Sequence, residues 1–218
     1  MSRILCLETA TTNCSVALSN AGSVIAFRED NSPGYSHSEK LHVFIEEVLQ
    51  EAEVSKDQLD AIAVSMGPGS YTGLRIGVSA AKGLCFALDI PLIAVSTLEA
   101  LALKVKDQVD CVVPLLDARR MEVYSAVFDR VGNQVRAIKA EIIDGNSFSE
   151  YFDKGKMALI GNGVAKFLEL CEKEALFLPD ELPSSLEMVS LAHEKFVQQS
   201  FEDVAYFEPY YLKDFIAG

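Results

Sequence analysis

Apolar positions in this chain run in short blocks or at helical spacing, and the switches between the two mark its elements. Ile4-Leu5-Cys6-Leu7 is a short apolar run that ends in Glu8 and a threonine-rich turn. Residues 14–18 and 24–27 follow, separated by Asn20-Ala21-Gly22, and together these predict three strands joined as a meander. Asn31-Ser32-Pro33-Gly34-Tyr35 is a loop by composition. Leu41, Phe44, Ile45, Val48, Leu49 and Ala52 then fall on one helical face, behind Ser36 and Glu39 at capping-box spacing. A strand over 60–66 is broken by Gly67-Pro68-Gly69-Ser70 and leads into a helix over about 72–88. A buried strand over 91–95 and a helix capped by Ser96 and Glu99, running to Val105, complete this half.

The second half repeats that order more loosely. Strands are predicted over 109–116, 123–128 and 135–143, with a Val131-Gly132-Asn133 turn between the last two. A short helix over 148–152, a strand over 157–160, a Gly161-Asn162-Gly163 turn and helices over 164–174 and 187–199 follow. In each half the first strand ends in an acid, Glu8 or Asp117, and enters a hairpin. Two βββαβα units in tandem are the layout of the duplicated actin-like, ribonuclease-H-like (ASKHA) α/β fold. The expected lobes are 1–103 and a smaller 104–218, with the last helix and tail packing back on the first lobe.

Composition narrows the function classes. Half of the 218 residues are apolar, which excludes a disordered chain. The net charge is −13, from 19 basic and 32 acidic residues, and no region forms a basic module. A polyphosphate partner needs a cationic footprint, so direct nucleic-acid binding by the chain alone is disfavoured. The charge suits solubility or a basic partner surface. Five scattered cysteines without a Cys-x-x-Cys read as buried thiols of a reducing cytosol. The start is too short in apolar residues for a signal segment, and no charge-free stretch reaches the ~18 residues that would suggest a membrane span.

Two segments carry candidate chemistry. Glu8-Thr9-Ala10-Thr11-Thr12 occupies the place where nucleotide-binding members of this fold cradle phosphate, with the acid facing a metal ion or water. A plain hydroxyl-rich turn is the other reading. The matching acid, Asp117, is followed by Ala118-Arg119-Arg120, which lacks the glycine that lets backbone approach phosphate. Gly67-Pro68-Gly69-Ser70-Tyr71-Thr72-Gly73, a glycine turn before a helix, has an anion-site design without the Gly-Lys-Ser/Thr of a P-loop. Beyond it Gly73, Gly77 and Ala81 share one helical face and predict tight packing, within the chain or with a partner. His37 and His42 would stand about 140° apart on a helix, a poor metal pair. His193 has no partner histidine nearby in sequence.

The segments Ile4–Ala10, Cys14–Leu18 and Gly67-Pro-Gly-Ser-Tyr-Thr-Gly-Leu-Arg-Ile-Gly77 resemble the TsaB (YeaZ) family. So do Val95-Ser-Thr-Leu-Glu99, Asp117-Ala-Arg-Arg-Met-Glu-Val-Tyr124, Gly161-Asn-Gly163 and Pro209-Tyr-Tyr-Leu-Lys213. The likeness runs end to end, with Glu8 where the family usually has Asp and Lys213 where it often has Arg. The resemblance implies a cytoplasmic, non-catalytic subunit that pairs with the metal-containing transferase TsaD in forming tRNA threonylcarbamoyladenosine at position 37 (t6A). It also implies a ternary complex with the ATPase TsaE, tRNA contact only through the complex, and a homodimer as the state open to the chain without TsaD. No cofactor of its own is implied, with ATP or ADP at the complex interface left open. In the family the N-terminal lobes meet through helices, which makes Gly73, Gly77 and Ala81 the candidate interface row. Glu8, Thr9, Thr11, Thr12 and Asp117 become a vestigial nucleotide site. The His-x-x-x-His pair of TsaD-type proteins aligns with Thr97 and Leu101, neither a ligand for that metal. An actin-like ATPase or kinase with a degenerate phosphate clamp is the alternative, and a metalloprotease is opposed by the missing histidines.

Overall fold

The structure, a computed structural model, describes residues 2–32 and 36–213. The described residues form two compact units: 2–97 with 183–211, and 98–182 with 212–213. The first unit thus ends at Thr97 rather than Leu103, and it includes the helix that follows residue 183.

The first unit is built on β1 (Arg3–Glu8), β2 (Cys14–Asn20), β3 (Ser23–Asp30), α1 (His37–Glu51), β4 (Ala61–Gly67), α2 (Tyr71–Leu88) and β5 (Leu92–Ser96). Its sheet has the order β3-β2-β1-β4-β5, antiparallel among the first three strands and parallel from β1 to β5. After α3 (Thr97–Leu103) the second unit repeats the pattern. It contains β6 (Cys111–Asp117), β7 (Glu122–Asp129), β8 (Gln134–Ile142), α4 (Ser149–Phe152), β9 (Met157–Ile160), α5 (Val164–Leu168) and β10 (Leu176–Leu178). Its order, β8-β7-β6-β9-β10, has the same arrangement as the first sheet. This is the duplicated actin-like, ribonuclease-H-like α/β fold. The chain closes with α6 (Ser185–Val197), which returns to the first unit.

The second unit is more complete than its sequence predicts. A fifth strand, β10, pairs parallel to β9 over three residues, too few for a periodic signal. The helix expected over 164–174 stops at Leu168, so the second unit keeps all five strands and shortens its helices. The Ser36–Glu39 capping box does not form: Ser36 makes no side-chain cap and its Oγ donates to Asp30 Oδ2 at 3.0 Å. The Pro33-Gly34-Tyr35 loop lies outside the described residues.

Strand alternation gives the first sheet two working faces. Leu5, Leu7, Val16, Leu18, Ile62, Val64 and Leu92 pack with Leu41, Ile45 and Val48 of α1 and Val78, Ala81 and Cys85 of α2. At about 25 cal/mol per Å² of apolar surface removed from water, this layer holds α1 and α2 on the sheet. The alternate residues, Glu8 and its register partner Ser15 among them, face the start of α6, whose Ser185 amide donates to Ser15 Oγ at 2.9 Å. Burial pushes the Cys6 and Cys14 thiols up to about 12. Cys6, Cys14, Cys85 and Cys111 are buried and unpaired, and Cys171 is half-buried.

Candidate functional site

The β1–β2 hairpin is bonded to β3, β4, α1, α2 and the start of the α6 segment of its own unit. Glu8 is fully buried; its Oε1 accepts from the Ala10 amide at 2.6 Å and from Ser65 Oγ at 2.9 Å. Its Oε2 has no hydrogen-bond partner among the described residues. Burial raises the Glu8 carboxyl to about 7, against the opposing pull of those hydrogen bonds, and the nearby Glu187 adds a small push in the same upward direction. The Thr9 amide donates to Ser65 Oγ, Thr9 Oγ1 donates to Gly73 O at 2.8 Å, and the Asn13 amide donates to Thr11 Oγ1. Ala10 O accepts from the Ser70 amide at 2.7 Å, and Thr11 O accepts from His37 Nε2 at 2.7 Å. Asn13 Nδ2 ties the far end to Glu29 and to Pro183 O. A phosphate cradle needs outward amides. Here the amides of Thr9, Ala10 and Asn13 are already bonded inward, and only Thr12 of the turn's threonines is half-exposed.

The glycine row of α2 is the other half of this contact, and of the two expected uses of the row, within the chain or with a partner, its glycines meet the chain's own hairpin. Gly73, Gly77 and Ala81 are buried inside their own unit. A Cβ on Gly69 would stand 2.4 Å from Ala10 O, one on Gly73 2.1 Å from Thr9 O, and one on Gly77 2.2 Å from Thr9 Oγ1. The glycines are small because the hairpin lies on them, whereas Ala81 packs in the apolar layer under α1 and α2. The helix N-terminus is likewise occupied by its own chain: Ser70 Oγ accepts from the Gly73 amide and Ser70 O from the Leu74 amide. One first-turn amide of α2, that of Gly73, is thus capped from within the chain. Gly67 sits at φ +107°, which favours glycine, and its amide donates to Thr97 Oγ1 at 3.1 Å. Leu101 is a buried apolar side chain of the second unit.

Asp117 belongs to the second unit, whereas the Glu8 hairpin belongs to the first. Asp117 Oδ1 accepts from the Arg119 amide at 2.6 Å and from Lys166 Nζ at 2.8 Å, and the Asp117 amide donates to Asn162 Oδ1. Arg119 and Arg120 follow at φ +68° and +52°, with both side chains exposed. Of the histidines, His37 is buried and His42 is exposed. No group of three His, Cys, Asp or Glu able to hold a metal occurs among the described residues.

A surface that no sequence motif marks lies on the outer side of α1 and α2. A groove of about 780 Å³ runs between them, lined by Ser38, His42, Tyr71, Arg75, Ile76 and Leu84 among others. Arg75 and Lys82 are the charged residues of the 18-residue α2, and Phe86 at its end is 85% exposed. A surface helix normally carries a charged outer face. The scarcity of charge in α2 was the available signal.

Comparison with known proteins gives this arrangement its relatives. The chain is 32% identical to the tRNA threonylcarbamoyladenosine biosynthesis protein TsaB of Escherichia coli K12, over 99% of this chain and 96% of that one. The chain belongs to the TsaB family. The family model described as TsaD, tRNA N6-adenosine threonylcarbamoyltransferase, matches residues 34–206. A transferase of that description from Bacillus thuringiensis Al Hakam is 52% identical over 59 residues, 27% of this chain and 17% of that protein. YeaZ from Pseudomonas aeruginosa has the same fold at a TM-score of 0.85 and 28% identity, covering 97% of this chain and 100% of that one. The match to both groups fits a TsaB-family chain that shares its ancestry with the transferase.

Proposed function

We propose that this chain acts in tRNA threonylcarbamoyladenosine biosynthesis as a non-catalytic subunit paired with the transferase TsaD. The observation that carries the proposal is the inward-bonded hairpin. Three amides of the candidate phosphate turn, those of Thr9, Ala10 and Asn13, bond Ser65, Glu8 and Thr11, and the α2 glycines Gly73 and Gly77 lie against Thr9. A site so filled contributes shape rather than chemistry. The contribution left to the chain is docking, and the groove between α1 and the sparsely charged α2 is the surface we assign to TsaD. Glu8, Thr9, Thr11, Thr12 and Asp117 then stand as remnants of a nucleotide site, and any ATP or ADP would be held with the partner's help.

In this proposal TsaE joins the TsaD pair, tRNA is engaged through the assembled complex, and the chain works in the cytoplasm. Among the described residues no helix is long and apolar enough to cross a membrane. Without TsaD, the same face would serve a homodimer. The test is reconstitution of t6A formation from purified TsaD, TsaE, threonylcarbamoyl-adenylate and tRNA, with and without this chain. Formation that requires the chain, together with no ATP hydrolysis by the chain alone, supports the proposal. Turnover of ATP by the isolated chain would favour an actin-like ATPase.

A further inference from the structure

The segment after α6 is fastened along α2 and ends at the groove. Glu202 pairs with Leu92 at the edge of the first sheet, and its amide donates to Leu92 O at 2.9 Å. Lys82 Nζ of α2 donates to Ala205 O and Phe207 O at 3.2 and 2.9 Å. The Tyr210 amide donates to Met66 O at 2.7 Å. These bonds deliver Tyr211 to the outer side of α2. Its ring lies 5.1 Å from that of Tyr71, and its hydroxyl accepts from Arg75 Nε at 3.3 Å. The Arg75 guanidinium also lies over the Tyr71 ring, 4.2 Å from its centroid.

Arg75 is thus an exposed cation held in one pose by two tyrosines. It forms no ion pair among the described residues; Glu208 acts on it through space without one. Its Nε edge is used by Tyr211, which leaves the terminal nitrogens for another acceptor. A planar guanidinium takes a carboxylate in a two-bond fork, and pre-positioning lowers the ordering cost. Around it the groove offers Ile76, Ala80 and Leu84 to an apolar helix face. A partner helix with apolar residues beside an acidic one matches that surface.

We infer that Tyr211 is a positioning residue for partner docking: it holds Arg75 in the α1–α2 groove so that its free edge receives a carboxylate of TsaD. The inference rests on the TsaD pairing proposed above. Tail docking and partner docking are then linked, because a tail that leaves α2 releases the arginine.

The test measures affinity for purified TsaD by biolayer interferometry with the full chain, Tyr211→Phe, Arg75→Ala and the double variant. Tyr211→Phe keeps the ring and removes the acceptor. Without that acceptor Arg75 must be ordered on binding, which should weaken affinity about fivefold with little change in melting temperature. Arg75→Ala should weaken it about tenfold or more and flatten the salt dependence. In the Arg75→Ala background Tyr211→Phe should have no further effect, whereas a merely structural role would persist there. Wild-type affinity for Tyr211→Phe, or independent losses in the double variant, overturns the inference and leaves the pairing intact. Failure of the unaltered chain to bind TsaD overturns both.

Discussion

The substitution Glu8→Gln tests the buried hairpin directly. The Glu8 carboxyl is pushed from an ordinary 4.5 up to about 7, chiefly because burial disfavours its ionised form. Below about 4.5 the group is protonated in folded and unfolded chains alike, and it adds no pH dependence. Between 4.5 and about 7 the unfolded chain has lost this proton while the native chain keeps it. Unfolding then releases a proton, so the Glu8 contribution to stability falls as pH rises. Each pH unit is worth at most ~1.4 kcal/mol, which accumulates to roughly 3 kcal/mol by neutral pH and then levels off. A glutamine side chain keeps an oxygen acceptor for the Ala10 amide and Ser65 Oγ, and its amide nitrogen takes the place of the unpartnered Oε2 of Glu8. The variant should therefore match the parent below about pH 4.5 and exceed it by roughly 3 kcal/mol near pH 8.

The assay is urea unfolding followed by far-ultraviolet circular dichroism across that range, since the chain has no tryptophan to report. Burial holds His37 below its ordinary value, and its titration runs in the opposite direction. It is common to both proteins, so the difference between the two curves isolates Glu8. Parallel curves, or a parent that gains on the variant as pH rises from about 5 to about 7, would refute the buried-carboxyl argument.

Three further outcomes are expected. Gly77→Ala puts a methyl 2.2 Å from Thr9 Oγ1, so the melting temperature should drop, with overpacking costing about 1–3 kcal/mol; a variant that melts like the parent would place the row elsewhere. Thr9→Val removes the donor to buried Gly73 O at nearly constant volume and should cost about 1–3 kcal/mol in urea unfolding, and an unchanged midpoint would count against the hairpin–helix lock. The isolated chain, at a net charge of −13, should show no sub-micromolar tRNA affinity by fluorescence anisotropy at physiological salt, and tight, steeply salt-dependent binding would contradict the assembly role.

Most strands were legible in the sequence because burial writes a local signature. Ile4-Leu-Cys-Leu7 and Met157-Ala-Leu-Ile160 are short apolar runs between turn residues, and both are strands. The place of Glu8 at a strand end and the Gly67–Gly77 signature were also readable, and with them the family. The fate of those residues was not. Spacing shows that Gly73, Gly77 and Ala81 share a helical face, but which neighbour requires small residues depends on what folds against that face, and Thr9 is 64 positions from Gly73. Glu8 reads as a metal-facing acid until Ser65, Ala10 and the start of α6 enclose it. Likewise Tyr211 is an ordinary tail residue until the chain brings it 136 positions back to Arg75. Local pattern determined the elements, since periodicity is set by near neighbours. Tertiary structure decided which polar groups were already bonded, because hydrogen-bond satisfaction in a buried turn is settled by segments distant in sequence.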